Sequence, residues 1–245
     1  MQYTDSCLKP LGTRTSATDP TAVLVPWDVA TVADLKAIAS INPRDLDGSR
    51  ASEYMLLPQG REEAVRALNG RRFVWNPDSE LDGDDQLVII PDDRNSSVDT
   101  ALDADLPGRW LAVPGQVVDL ALARTYATAD AATLYTMPTG SALLVTRGYN
   151  ENTTAWTGGS SSTVGLSSDQ SGLTTKGDLQ GGSAGDAAAA MGAGDYLLGT
   201  IGTDIAAGVI LQGGSVIRHD RITSAFTAGA GNAHVVGVLL ANDGA

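Results

Sequence analysis

Cysteine, aromatic residues and basic residues are all scarce in this chain of 245 residues. The single cysteine, Cys7, excludes an internal disulfide bond and a zinc site made of several thiolates. Lysine and arginine together number 16, against 29 aspartate and glutamate residues, so the formal net charge is −13. Nucleic-acid binding depends on clustered cations, and we therefore expect no nucleic acid among the partners.

Long apolar runs are missing as well. No stretch of about 18 uninterrupted apolar residues occurs, so the sequence predicts no membrane-spanning helix and no membrane partner. Residues 1–7 show no basic segment followed by an apolar one, which predicts no secretory signal there. Hydrophobic residues nevertheless make up 42% of the chain, which is too large a share for a wholly disordered protein.

The first region, residues 1–29, has little periodicity and many threonine, serine and proline residues. This pattern predicts an extended N-terminal arm of the kind that becomes ordered only against a neighbour. The apolar residues of the arm, which are the predicted contact residues, are Val23, Leu24, Val25 and Trp27.

The second region, residues 30–114, predicts a small α+β module. Leu35 and Ile38 recur at a helical spacing, which favours a helix over residues 31–40. Residues 61–69 predict a second helix, since a glycine stands directly after them.

Short aromatic and apolar runs in the same module predict the strands of a small antiparallel sheet, at residues 71–75, 86–90 and 109–113. The core expected for the module consists of Leu35, Ile38, Leu56, Phe73, Trp75, Val88, Ile90 and Trp110.

In the third region, residues 115–245, the period changes to two. Val118 and Leu120 face one way and Asp119 faces the other. Further runs predict strands separated by glycine-rich turns, at residues 133–136, 143–147, 162–166, 196–199, 208–211, 216–218 and 234–240. About eight short strands of this kind predict a β-sandwich or jelly-roll-like domain, so the expected fold class is mainly β. The regular spacing of the predicted strands is interrupted at residues 167–195, where we expect a long polar surface loop.

The chain has two histidines, His219 and His234, and they fall on different predicted strands. Neither has a second histidine or a cysteine at a metal-ligand spacing. We interpret both as ordinary strand residues, and we predict no metal site and no cofactor.

One catalytic pattern matches by its letters. Residues 181–185 read Gly-Gly-Ser-Ala-Gly, which would make Ser183 the nucleophile of a G-x-S-x-G elbow, with Asp204 and one of the histidines following in chain order. The elbow requires a strand directly before the serine and a helix after it, and the sequence here is turn-like. We therefore expect no catalytic residues and a protein that is not an enzyme.

Asp82, Asp84 and Asp85 surround a glycine and offer oxygen ligands of the kind that calcium binds. The order of residues does not follow the EF-hand loop. A solvated hairpin turn is the interpretation that the sequence favours.

Two stretches resemble structural proteins of tailed-bacteriophage virions. The motifs of the first stretch are LKAI in the predicted helix, FVWNPDS from Phe73, GDDQLVIIPDD from Gly83 and PGRWL from Pro107. Those of the second stretch include ATLYTMPTG from Ala132, WTGGSSS from Trp156 and RHDRITSAFTAGAG from Arg218. Together the two stretches cover residues 30–240.

The resemblance implies a non-enzymatic capsid decoration, or cement, protein. Such a protein is made in the cytoplasm of the bacterial host and lies on the capsid surface of the virion. There it would bind the major capsid protein, stabilise contacts between its subunits and associate with itself as a homotrimer, with the arm across neighbouring subunits. The alternative is a tail- or fibre-associated receptor-binding adhesin. Aromatic residues make up only 5% of the chain, which disfavours a sugar-stacking site.

Overall fold

The computed structural model describes residues 8–10, 27–29, 31–37, 63–66, 71–76, 78–100, 102, 104–158, 162–181, 192–198, 208–222 and 225–242. The chain divides into two compact units. Unit 1 takes in Met1–Gln116 and Asn242–Ala245, and unit 2 takes in Val117–Ala241. Strands predominate and form three sheets, so the mainly β class predicted from the sequence is confirmed. Among the described residues, no helix is long and apolar enough to cross a membrane.

Unit 1 contains a six-stranded sheet in the order β1-β2-β3-β4-β6-β5. Strands β2 and β3 run parallel, and the other neighbours run antiparallel. The strands are β1 Leu8–Pro10, β2 Trp27–Val29, β3 Glu63–Arg66, β4 Arg72–Asn76, β5 Val88–Ile89 and β6 Arg109–Ala112, with one helix, α1 Val32–Ala37, and a 3₁₀ turn at Asp92–Arg94.

The predicted core of unit 1 is confirmed where the structure describes it. Its buried members are Leu35, Phe73, Val88, Ile90 and Trp110. The predicted helix is present as α1, and its Leu35 is buried. The backbone of Trp75 pairs with Trp110 in the sheet, and Ile38 and Leu56 lie outside the described residues.

The predicted helix over residues 61–69 is wrong, because Glu63–Arg66 forms strand β3. This strand pairs with β2 on one side and with β4 on the other. Backbone hydrogen bonds to two neighbouring strands outweigh a weak local helix propensity, and a helix of two turns gains little stability on its own.

Two short pieces of the predicted arm are strands of this sheet. In β2, Trp27 pairs with Pro10 of β1 and with Ala64 of β3. This end of the arm is therefore part of unit 1 rather than a separate segment. The other predicted contact residues of the arm, Val23, Leu24 and Val25, lie outside the described residues.

Unit 2 contains two sheets. One has three strands in the order β10-β13-β8, and the other has five strands, in which β11-β9-β14-β7 follow one another and β12 also pairs with β9. The strands are β7 Val117–Thr125, β8 Thr133–Thr136, β9 Ser141–Thr157, β10 Val164–Ser168, β11 Tyr196–Leu198, β12 Val209–Gln212, β13 Val216–Arg221 and β14 Ala228–Asn242. Each predicted run of the third region therefore contains a strand.

The alternation of side chains in β7 distinguishes the two faces of the five-stranded sheet. In β7, Val118, Leu120 and Leu122 are buried, as the period of two predicts. They define the inner face, and the opposite face is called the outer face below. Leu143 of β9 lies on the inner face, since its side chain lies against the backbone of Gly237, which pairs with Val118.

The alternation in β9 breaks at Thr146 and Arg147, two successive residues that are both exposed. Before this point the odd-numbered residues are buried, and after it the even-numbered residues Asn150 and Asn152 are buried. Such a shift by one residue is what a β-bulge produces. It turns Tyr149 onto the outer face.

The expected surface loop at residues 167–195 is wrong for its first part. Leu173, Leu179 and Gln180 are buried, and the backbone of Leu166 in β10 bonds with that of Leu179 and of Gln180. Apolar residues at a few positions let this irregular segment cover the edge of the three-stranded sheet. Residues 182–191 lie outside the described part of the chain.

Aromatic residues join the two sheets of unit 2. Trp156 of β9 meets the ring of Phe226 edge to face, with 4.8 Å between ring centroids, and both lie in one buried cluster with Val164 of β10. Trp156 and Phe226 are therefore core residues of unit 2.

Candidate functional site

A cluster of polar and aromatic side chains lies on the outer face of the five-stranded sheet. In the register of β14 and β7, His234 faces Ala121 and lies diagonally from Asp119. Strand β11 pairs with β9 so that Tyr196 is opposite Glu151. We call the group the tyrosine–histidine cluster, and its members are Asp119, Tyr149, Glu151, Tyr196, Asn232 and His234.

The imidazole of His234 lies between two carboxylates. Its Nδ1 is 2.8 Å from Oδ1 of Asp119, and its Nε2 is 3.3 Å from Oε2 of Glu151. The carboxylates stand on β7 and β9, which flank β14 in the sheet. One side chain therefore links three neighbouring strands.

The tyrosines are fixed by the same two carboxylates. The hydroxyl of Tyr149 donates to Asp119 at 2.6 Å, and its ring stacks on that of His234 with 4.1 Å between centroids and 8° between planes. The hydroxyl of Tyr196 donates to Glu151 at 2.8 Å. The amide of Asn232 donates to the other oxygen of Glu151 at 2.9 Å. Every polar group of the cluster thus has a defined orientation.

The charges in the cluster shift one another's proton affinity. Burial by itself lowers the pKa of His234, but the hydrogen bonds and charges of Asp119 and Glu151 outweigh it and raise the pKa above the usual 6.5. Hydrogen bonds from Asn232, Tyr196 and His234 lower the pKa of Glu151. An ion pair in which imidazolium and carboxylate stabilise each other has this signature.

Burial, followed by the hydrogen bond to Asp119, raises the pKa of Tyr149. The hydrogen bond to Glu151 raises the pKa of Tyr196. Both phenols are therefore neutral donors at physiological pH, and neither is prepared to act as a base or a nucleophile.

The second histidine lies in different surroundings. His219 is buried in β13, and burial, together with the positive charges of Arg124 and Arg221, lowers its pKa to about 3. In the same interior, Arg124 donates to Asn150 at 2.5 Å, and Gln180 donates to the same amide oxygen at 3.0 Å. These four groups, His219, Arg124, Asn150 and Gln180, are all buried, so they support the fold and are not presented to a ligand.

The G-x-S-x-G pattern, for which we expect no catalytic role, lies mostly outside the described residues. Ser183 and Asp204 lie outside the described residues. The two candidate histidines are on separate sheets, His219 on β13 and His234 on β14.

The acidic segment at residues 82–85 forms a turn. Oδ1 of Asp84 accepts hydrogen bonds from the backbone amides of Gln86, Leu87 and Val88, at 2.9, 2.8 and 2.7 Å. Asp85 forms an ion pair with Lys36 at 2.8 Å. No group of three or more histidine, cysteine, aspartate or glutamate side chains in the described ranges is placed to hold a metal ion.

Most of the cluster is not apparent from the sequence. His234 is 115 residues from Asp119 and 83 residues from Glu151 in the chain, and Tyr196 is 45 residues from Glu151. These residues meet only through the pairing of β14 with β7 and β9 and of β11 with β9. The period of two in β7 does place Asp119 opposite the buried Leu120, and this is the one signal that sequence reasoning offers.

The chain matches no protein-family model, no curated protein and no solved structure. The role of the tyrosine–histidine cluster therefore has to follow from its own chemistry and from the face of the sheet on which it lies.

Proposed function

We propose that this protein is a non-enzymatic structural protein of a tailed-bacteriophage virion, namely a capsid decoration protein that binds the outside of the head. In this proposal the two sheets of unit 2 form a jelly-roll-like sandwich, and unit 1 is the small α+β module. The protein associates as a homotrimer and stabilises contacts between major capsid subunits.

One observation carries the proposal furthest, which is the distribution of exposed apolar side chains. Among the described residues, seven large hydrophobic side chains are exposed. Four of them lie on the outer face of the five-stranded sheet, at Val117, Tyr196, Ile210 and Leu240. Exposed apolar residues that gather on one face are typical of a protein contact surface, whereas scattered ones need no explanation.

The strand register supports this grouping. Val117 pairs with Val238, and Ile210 pairs with Leu144, across neighbouring strands of one sheet. The tyrosine–histidine cluster lies on the same face, and its Asp119 is two residues from Val117 in β7. The outer face therefore combines apolar residues with aromatic and polar anchors, which is the composition of protein interfaces.

The test is co-sedimentation of the purified protein with heads assembled from the major capsid subunit of the same phage. Val117→Asp and Ile210→Asp each place a charge in the proposed contact, so we expect binding at least about tenfold weaker. Val98→Asp is the matched control, since Val98 is similarly exposed but lies in unit 1. The control should bind heads like the wild type.

The arm is tested in the same assay. A Val23→Ser, Leu24→Ser, Val25→Ser variant removes the apolar residues proposed to lie across neighbouring subunits, and leaves β1 and β2 intact. We expect it to lose head binding. Wild-type protein that fails to bind heads but binds host cells would instead favour the tail or fibre adhesin and would overturn the decoration proposal.

A further inference from the structure

Tyr196 is the most exposed large hydrophobic side chain in the described part of the chain, at 67%. Its ring is nevertheless fixed, because the hydroxyl is bonded to Glu151 and the backbone is paired with that residue in the sheet. Tyr149 supports it from the side, with 6.3 Å between the ring centroids. A ring that is already ordered loses little conformational entropy when a partner stacks on it.

The electrostatics around this ring favour a cation. The cluster holds two carboxylates, Asp119 and Glu151, against one imidazole. The lowered pKa of Glu151 keeps its carboxylate ionised at neutral pH. The face of a tyrosine ring is itself negative, and a carboxylate has lone pairs for more bonds than those made here. The net charge of −13 adds a field of the same sign.

We propose that Tyr196 and Glu151 anchor a cationic side chain, arginine above all, of the protein that covers the outer face. This inference rests on the proposed function, in which the covering protein is the major capsid subunit. A guanidinium can stack on the tyrosine ring while its N–H groups bond to the carboxylate beside it. Residues that do both are the ones that dominate interface energies.

The experiment measures head binding by co-sedimentation at low and at high sodium chloride, for the wild-type protein and two variants. Tyr196→Ala removes the ring, and Glu151→Gln removes the charge while it keeps the shape. Matched controls are Tyr126→Ala, an exposed tyrosine in the turn after β7, and Glu80→Gln, an exposed glutamate in unit 1. Thermal unfolding of each variant shows whether it is folded.

We expect each cluster variant to bind heads roughly tenfold more weakly than the wild type, in line with a cation–π contact or an ion pair that loses water. The Glu151→Gln variant should also lose part of the salt dependence, because a charge pair is screened by salt and a neutral contact is not. Both controls should bind normally.

Other results overturn the inference in distinguishable ways. If the wild type and both cluster variants bind heads equally well, the anchor is elsewhere and the decoration function stands. If the variants weaken binding but leave the salt dependence unchanged, the bound group is neutral rather than cationic. If Tyr196→Ala abolishes self-association of the protein in solution, the face is covered by a second copy. If the wild type does not bind heads at all, the inference and the proposed function both fail.

Discussion

The charge state of His234 determines whether the carboxylates of Asp119 and Glu151 are compensated by a positive charge between them. When the ring is protonated, both of its nitrogens donate, one to Asp119 and one to Glu151. When the ring is neutral, one nitrogen has no proton to donate, and the two carboxylates face each other with less compensation. The raised pKa of His234 keeps the protonated state populated to a higher pH than a free histidine would allow.

This gives a defined pH window for stability. A group with a raised folded-state pKa contributes its full stabilisation below the unfolded value, 6.5 for histidine, and loses it as the pH rises through the folded value. Glu151, with a lowered pKa, contributes above 4.5 and loses its contribution as the pH falls. The network is therefore strongest between these limits.

We expect His234→Gln to lower the free energy of unfolding by about 1–2 kcal/mol near pH 5.5, a value reduced for the partial exposure of both carboxylates. The difference from the wild type should shrink as the pH is raised through the folded-state pKa of His234, because the ring then loses its charge. Urea unfolding over a series of pH values measures it. A difference that does not depend on pH would mean that the ring acts through packing on Tyr149 and not through its charge.

His219 has the opposite effect on the pH dependence of stability. The difference in stability between the wild type and His234→Gln is therefore more informative than the pH profile of either protein alone. Its lowered pKa means that its contribution is present above 6.5 and is lost as the pH falls towards about 3. This loss occurs in the wild type and in the His234 variant alike, and it cancels in the difference.

At the scale of elements, the pairing of β9 with β14 depends on residues without a side chain. A Cβ at Gly231 would lie 2.1 Å from the carbonyl oxygen of Glu151 and 3.0 Å from Cα of Asn152. Both neighbours are backbone atoms and cannot move aside as a flexible side chain can. Glycine in a strand interior often marks such a close approach.

Gly231→Ala should therefore destabilise the protein by about 2 kcal/mol or more, because the two strands would have to separate locally. Chemical unfolding measures the loss. Ala230→Ser is the control in the same strand, at a half-buried position where a small side chain is already present. Equal stability of Gly231→Ala and the wild type would show that β9 and β14 can shift without cost.

How far the sequence predicts these elements depends on whether the signal is local. The period of two in Val118, Leu120 and Leu122 is a local signal, and the strand that it predicts is present as β7. The strand at Glu63–Arg66 was missed because only its pairing with β2 and β4 stabilises it. The local sequence likewise does not predict the burial of Leu173 and Leu179, which depends on contact of their segment with β10.

The candidate site shows the same limit more sharply. The extra residue at Thr146 and Arg147 moves the odd-numbered side chains of β9 from the inner to the outer face. The local sequence pattern does not predict this change. Without that reversal Tyr149 and Glu151 would point to the inner face together with Leu143. The register of β14 then brings His234 to them from more than eighty residues away.

At the scale of the whole molecule, each unit has a buried core of its own. Phe73, Val88 and Trp110 belong to unit 1, while Leu120 and Val235 belong to unit 2. The chain passes between the units twice, after Gln116 and before Asn242. Two compact units with separate cores are expected to open and close with separate stabilities.

A substitution at Asn242 tests whether the two units unfold independently. Asn242 is the last residue of β14, and it belongs to unit 1. Its buried amide donates to the carbonyl oxygens of Leu87 and Ala112, both at 3.1 Å. Asn242→Ala removes two hydrogen bonds inside unit 1, so we expect that unit to lose about 1–3 kcal/mol. Amide hydrogen exchange should become faster at Val88 and Leu111 and stay unchanged at Leu120 and Val235, which serve as the internal control. Equal acceleration at all four amides would show that the two units unfold as one.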